Sequence, residues 1–220
     1  MAEKWVTEGG LKMKVGSPLY LWWEENQAEI TGTKAGAITL PRIVWEPTTN
    51  KGDRHGSTIQ RVVLHTWGVH YTDEQGEALS YEGVVRNFKQ TSSQASAHFV
   101  FPGSAKPGEI TQMVPYGEYA WAEAAYNPTS VEIENADAIW LGKDPKGLAE
   151  LARITGYLLH KFQLPPVWSH DRGFCRHGDL GAAGGGHTAC PTTNMTTWRR
   201  FVGLTQAAYA AGGYPKSWGR

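Results

Sequence analysis

The chain has 220 residues, enough for one substantial hydrophobic core, and its 40% hydrophobic and 19% charged residues are typical of a globular protein. Its 21 basic and 21 acidic residues cancel, which argues against nucleic acid or an anionic membrane surface as a partner. No apolar run reaches the roughly 18 residues that span a bilayer, and MAEKWVTEGG lacks the order of a secretory signal, so we expect synthesis in a cytoplasm.

The first 56 residues differ from the rest of the chain. Short apolar runs such as LKMKV and PLYLWW alternate with glycine- and threonine-rich turns, which indicates a few strands or an irregular extension. We therefore divide the chain into an N-terminal extension (1–56), a main domain (57–212) and a C-terminal tail (213–220) without regular structure. The extension could widen a binding cleft, bind a polymer or only pack on the domain.

Strands and helices alternate through the main domain. Strands are predicted at IQRVVLHTW, AHFVF, EITQMVP, SVEIEN and the short run GFCRH. Helices are predicted at SYEGVVRNFKQ, where Ser80 can cap the N-terminus, at KGLAELARITGYLLHKFQ and near TTWRRFVGLTQAAYAA. This alternation predicts an α/β fold with a mixed central β-sheet flanked by helices.

The segment HGDLGAAGGGHTAC holds one of only two cysteines, Cys190, after a glycine-rich run that begins with His177. The glycines would let the chain fold back so that Cys190 approaches His177. His65 ends the strongest predicted strand, where ligands of open sheets gather. Two imidazoles and a thiolate make a three-ligand zinc site with a fourth position open for catalysis. The alternative is that Cys190 is a buried, inert thiol.

A carboxylate that could carry protons for a hydrolysis lies in SVEIEN. Strand alternation places Ile133 in the core and directs both Glu132 and Glu134 to the opposite face. A solvated strand face without a function is the alternative for this pair.

These stretches, in this order between about residues 58 and 203, resemble the zinc-dependent N-acetylmuramoyl-L-alanine amidases of the type 2 family. That family shares its fold with peptidoglycan recognition proteins and includes many phage endolysins. RVVLHTW resembles its first strand, and GFCRHGDLGAAGGGHTACPTT its closing motif, which makes His65, His177 and Cys190 the zinc ligands. Asp179 takes the companion position beside them. His170 is the rival to His177, which we prefer because its flanking sequence fits the motif better.

The resemblance also assigns residues around the metal. SSQASAHFVF implies that His98 lines the cleft, and YAWAEAAYNPTSVEIEN implies a substrate-binding asparagine, Asn127, and the catalytic glutamate, Glu134. Many members have histidine where this chain has Ala122. Thr188 would lie near the scissile carbonyl, and His187 lies either in the cleft or only in the loop. Three aromatic residues are expected to form the cleft wall, although each could instead pack in the core: Trp67, Trp121 and Tyr126.

The resemblance implies a peptidoglycan hydrolase. It would cleave the amide between N-acetylmuramic acid and the L-alanine of the stem peptide with zinc-activated water, Glu134 carrying the proton and Thr188 helping to stabilise the oxyanion. We expect a monomeric phage lysis enzyme that reaches the bacterial cell wall after release, although a bacterial autolysin is an alternative. The residues are also compatible with a non-catalytic peptidoglycan-binding module of the same fold or with a zinc peptidase of the stem peptide.

Overall fold

The computed structural model describes residues 39–68 and 79–220, together with the backbone of two N-terminal strands, β1 (Trp5–Glu8) and β2 (Leu11–Lys14). β1 and β2 pair antiparallel. β2 coincides with the LKMKV run, whereas the PLYLWW run lies outside the described residues.

A six-stranded mixed sheet forms the centre of the main domain. The described strands after β2 are β3 (Arg42–Trp45), β4 (Lys51–Asp53), β5 (Arg61–Thr66), β6 (Phe99–Phe101), β7 (Glu109–Gln112), β8 (Glu118–Ala120), β9 (Ser130–Asn135) and β10 (Gly173–Arg176). The order in the main sheet is β10-β5-β9-β6-β7-β3. β10, β5, β9 and β6 run parallel, β7 is antiparallel to β6, and β3 is parallel to β7. The predicted fold class is confirmed.

The central strands β5 and β9 are buried along their whole length. Their β-branched, nearly continuous apolar sequence is what a parallel strand covered on both faces requires. Alternate residues of β5 face different hydrophobic clusters, with Val62 and Leu64 in the main core and Val63 in a smaller cluster on the other side. By this alternation His65 shares the face of Val63, away from the main core.

Helices cover both faces of the sheet. They are α1 (Tyr81–Lys89), α2 (Asp137–Trp140), α3 (Pro145–Lys161) and α4 (Met195–Ala211). α3 and α4 pack on the face that carries Leu64, and α1 packs with Val100 on the other. The predicted cap is present, because Ser80 Oγ accepts a hydrogen bond of 3.1 Å from the Gly83 amide. None of the helices in the described part of the chain has the length and hydropathy needed to cross a bilayer.

Segments from both ends of the chain pack on the domain. β3 extends the main sheet, and β4 pairs with β8. The tail has no helix or strand, yet the Trp218 ring stacks on Phe99 at a centroid distance of 5.2 Å and its Nε1 donates to the Pro41 carbonyl. The described part of the N-terminal extension therefore packs on the domain, while the divisions at residues 56 and 212 stay predictions.

Candidate metal centre and active site

Two neighbouring parallel strands bring the first two candidate ligands together. His65 lies near the end of β5, and His177 directly follows β10, whose last residue, Arg176, is in register with Leu64. Because the carboxyl ends of parallel strands meet at one edge of a sheet, the two imidazole rings lie 4.5 Å apart between centroids. Both side chains are buried.

The glycine-rich loop returns Cys190 to the same point. The Gly178 amide donates to the Cys190 carbonyl over 2.7 Å, and a Cβ at Gly178 would come within 2.8 Å of the Thr188 carbonyl oxygen, so only glycine fits there. Cys190 Sγ lies 3.9 Å from His65 Nδ1. One ligand atom from each of His65, His177 and Cys190 lies within 4.8 Å of the other two, an arrangement that could hold a metal ion.

Hydrogen bonds orient both imidazole rings. His65 Nε2 lies 3.0 Å from Glu123 Oε1, and His177 Nε2 lies 2.7 Å from the Gly184 carbonyl oxygen. A carbonyl only accepts, so His177 Nε2 carries the hydrogen, and its Nδ1 is the ring nitrogen with a lone pair to offer. A histidine that binds a metal through one nitrogen and donates from the other is the usual arrangement in metal sites.

Cys190 needs a cation nearby to act as a thiolate. Burial raises the pKa of the Cys190 thiol well above its usual range, and the neighbouring Glu134 raises it further. In the metal-free protein the thiol is therefore neutral at physiological pH. Metal binding at this position has to be coupled to the release of the thiol proton.

Glu134 is placed to exchange protons at the same edge of the sheet. It is in register with His65 on the adjacent strand β9, is 5% exposed and lines the cavity at the cluster. Its Oε2 makes no hydrogen bond with the described residues. Burial raises the pKa of Glu134 to about 8, with Asp137 adding to the effect. A carboxyl group with this pKa can both accept and deliver a proton near neutral pH.

The cavity beside the cluster has a volume of about 360 Å³. Its wall contains the three candidate ligands and Glu134, together with three of the predicted substrate-binding residues: Trp121, Asn127 and His187. The exposed ring of His187 lies 4.8 Å from that of His177. The cavity is therefore large enough for part of a polymeric substrate and has one aromatic wall.

Two residues expected in the cleft lie elsewhere. His98 is fully buried, its Nδ1 contacts Glu132, and Arg54 Nη2 lies 2.9 Å from its Nε2. Burial and, to a smaller extent, the charge of Arg54 lower the pKa of His98 to about 3, so the ring is neutral. Trp67 packs with Val84 and other core residues, as the core interpretation of that tryptophan expects. The expectation that His98 and Trp67 line the cleft is corrected accordingly.

Tyr126 and Thr188 are also absent from the cavity wall. Tyr126 packs against the small cluster around Val63, and the Arg61 guanidinium lies 4.8 Å from its ring centroid. Thr188 is an exposed loop residue. Neither is therefore among the residues that line this cavity.

Asp179 and His170 do not join the metal cluster either. The Asp179 carboxylate accepts hydrogen bonds from Trp168 Nε1 at 2.8 Å and from the Arg176 side chain, so it does not orient a candidate ligand. His170 is exposed, with its Nε2 3.4 Å from Asp171. The geometry therefore favours His177 over His170 as the second histidine.

The sequence interpretation missed a buried group of ionisable side chains next to the cluster. Glu123 and Glu132 are fully buried, with Arg54 nearby. Burial raises the pKa of Glu123 well above its usual range, with Glu132 adding to it, and burial raises that of Glu132 to about 8 against the opposing effect of Arg54. Glu132 is thus not on a solvated face. No sequence pattern marks Arg54, since it lies in the part interpreted as an extension.

Comparison with known proteins assigns the chain to a family of amidases. The sequence profile described as N-acetylmuramoyl-L-alanine amidase matches residues 55–193. The match covers more than half of the chain, and the protein therefore belongs to this family. No curated protein sequence matches the chain significantly.

Solved structures show the same fold at low sequence identity. The Staphylococcus aureus hydrolase AmiA, in complex with its ligand, superimposes with a TM-score of 0.63 at 15% identity, over 89% of this chain and 91% of that one. A mutant endolysin from Bacillus subtilis gives 0.54 at 16% identity, over 76% and 99%. The amidase LysC from Clostridium intestinale URNW gives 0.51 at 17% identity, over 73% and 95%.

The raised pKa of Glu134 predicts a pH-dependent stability of the metal-free protein. Below pH 4.5, the ordinary pKa, the Glu134 carboxyl is protonated in both the folded and the unfolded state. Between pH 4.5 and about 8 it is ionised in the unfolded state but stays mostly protonated in the folded state. Stability contributed by the neutral carboxyl is therefore lost as the pH rises through this range. In Glu134→Gln we expect the free energy of unfolding at pH 8 to exceed that of the wild type by roughly 1–3 kcal/mol.

Urea unfolding of both metal-free proteins at pH 5 and pH 8 measures this difference. The stability advantage of the variant should be larger at pH 8 than at pH 5. Equal advantages at the two pH values would show that Glu134 titrates normally.

Proposed function

We propose that the protein is a zinc-dependent N-acetylmuramoyl-L-alanine amidase that hydrolyses the amide between N-acetylmuramic acid and the L-alanine of the stem peptide. The observation that carries the proposal is the convergence of three buried ligand atoms within 4.8 Å, in the wall of a cavity that also contains Glu134. Family membership supports peptidoglycan as the substrate.

The chemistry of the donor set fits zinc. A thiolate and two imidazoles are ligands that zinc accepts in tetrahedral sites, and three protein ligands leave one position for substrate or water. The hydrogen bond from His177 Nε2 to a carbonyl supports binding through Nδ1 of that ring, and Nδ1 is also the nitrogen of His65 that lies 3.9 Å from Cys190 Sγ. The buried thiol of Cys190 would be ionised by such a cation.

Zinc held by His65, His177 and Cys190 would supply Lewis-acid polarisation of the scissile carbonyl and would acidify the attacking water. Glu134 accepts the proton of that water and delivers it to the leaving amine of L-alanine. Its low exposure keeps the carboxyl out of bulk solvent, and its place in the same cavity wall as the three candidate ligands puts it close to the attacking water.

The cavity wall supplies the contacts to the substrate. Trp121 offers an aromatic face for a sugar or peptide segment, and Asn127 lies beside it in the same wall. Of the loop residues Thr188 and His187, His187 is the one in the cavity wall, and we assign it the oxyanion contact in place of Thr188.

As a biological role we propose a monomeric bacteriolytic enzyme of phage origin that acts on the cell wall after release. The peptidoglycan chemistry of the family supports the wall as its site of action. Lysis of intact bacteria from outside and the molecular mass in solution are the corresponding measurements.

Replacement of the thiol ligand tests the zinc site. Cys190→Ser should bind zinc at least about tenfold more weakly and should lose peptidoglycan-solubilising activity, because a neutral hydroxyl replaces the thiolate. Cys175→Ser makes the same change at the other buried cysteine, outside the cluster, and should retain one zinc ion per chain. Metal content by elemental analysis and a turbidity assay on purified cell walls provide both measurements.

The products of the same digestion identify the bond. Mass spectrometry should find stem peptides with new L-alanine amino termini. New termini deeper within the peptide would instead show a zinc peptidase, and unchanged wall turbidity with the wild type would show a non-catalytic binding module.

Glu134→Gln separates proton transfer from metal binding. Because the amide cannot accept a proton, kcat/KM should fall at least about a hundredfold while the zinc content stays near one per chain. Retention of more than a tenth of the wild-type kcat/KM would assign proton transfer to another group.

A further inference from the structure

Glu123 lies at an unusual place for an acidic residue. It belongs to the segment just before a 3-10 helix (Ala124–Thr129), its side chain is fully buried, and its Oε1 lies 3.0 Å from His65 Nε2. Burial of a carboxyl group is costly unless it forms specific interactions. Here the carboxyl contacts Nε2 of His65, while the other ring nitrogen, Nδ1, lies 3.9 Å from Cys190 Sγ.

The backbone of Glu123 is fixed by Asn127. Asn127 Oδ1 accepts hydrogen bonds from the amides of Glu123 and Ala122, at 2.5 and 3.1 Å, and the Glu123 carbonyl accepts one from the Tyr126 amide at 3.0 Å. These bonds close a tight turn. The turn sets the direction from which the Glu123 carboxyl approaches the His65 ring.

Arg54 holds the end of this turn. Its buried guanidinium donates to the carbonyls of Pro128 at 2.6 Å and Ser130 at 2.7 Å, and its Nε donates to the Tyr116 carbonyl at 2.8 Å. Ser130 begins β9, the strand that also carries Glu134. The turn that presents Glu123 is therefore anchored to the same strand as the proposed proton carrier.

The Nε2 atoms of the two candidate histidine ligands meet different kinds of acceptor. His177 Nε2 contacts the backbone carbonyl of Gly184, in the loop that leads to Cys190. His65 lies on a strand, and its Nε2 meets the side-chain carboxyl of Glu123. The contact at His65 can therefore be removed by a side-chain substitution, whereas the backbone contact at His177 cannot.

We propose that Glu123 is a positioning residue that accepts the Nε2 hydrogen of His65 and thereby directs His65 Nδ1 toward the metal. This inference rests on the zinc site proposed above. Asn127, predicted as a substrate contact, acts at the same time as the support of the turn that carries Glu123.

The variant Glu123→Leu keeps the approximate size of the side chain and removes the acceptor. We expect its zinc dissociation constant, measured by competition with a chromophoric chelator, to rise about tenfold to a hundredfold over that of the wild type. Glu82→Leu makes the same change in an exposed residue paired with Lys106 and should leave the constant unchanged. Equal affinity of Glu123→Leu and wild type would overturn the proposal.

The ring tautomer gives a second measurement that a general loss of stability would not reproduce. Long-range ¹H–¹⁵N NMR spectra of the metal-free wild type should show His65 with its hydrogen on Nε2, and Glu123→Leu, which has no acceptor at this position, should change this pattern. A hydrogen on Nδ1 in the wild type contradicts the proposal, even if the protein binds zinc. Failure of the wild type to bind zinc, with the Nε2 tautomer present, would instead refute the zinc site and leave the orientation of His65 established.

Discussion

The parallel pairing of β5 with β10 is the constraint on which the candidate site depends. Register between the two strands fixes His65 and His177 side by side at one sheet edge. β9, on the other side of β5, adds Glu134 opposite His65. Three of the candidate side chains thus lie on, or directly after, neighbouring strands of one sheet, whereas Cys190 is brought to them by a long loop. Sites built on such elements hold their geometry better than sites assembled from loops alone.

Burial shifts the pKa values of the side chains at the candidate site, and it costs some stability. The same low-dielectric surroundings that raise the pKa of Glu134 to about 8 also keep the Cys190 thiol neutral and leave carboxyl oxygens of Glu123 and Glu134 without hydrogen bonds to the described residues. Buried carboxyl groups do not stabilise an apolar core. Their accumulation around one cavity is typical of a functional site, where stability is given up for reactivity.

Much of the site could be predicted because its residues follow strong local patterns. The β-branched run that ends at His65 predicts a buried strand. The glycines before Cys190 predict a loop that can fold back toward His177. The expected positions of His98 and Trp67 were wrong because strand and sequence position do not reveal which neighbour covers a side chain; Arg54 and Glu132 cover His98. The short strands β3 and β4 pair with strands that are distant in the sequence, so no local pattern marks their place in the domain.

X-ray absorption at the zinc edge of the protein loaded with one equivalent of zinc tests the central claim most directly. A site formed by His65, His177 and Cys190 predicts a shell with a single sulfur at about 2.3 Å and the remaining nitrogen or oxygen ligands at about 2.0–2.1 Å. A first shell without sulfur would exclude Cys190 as a ligand and contradict this account of the site.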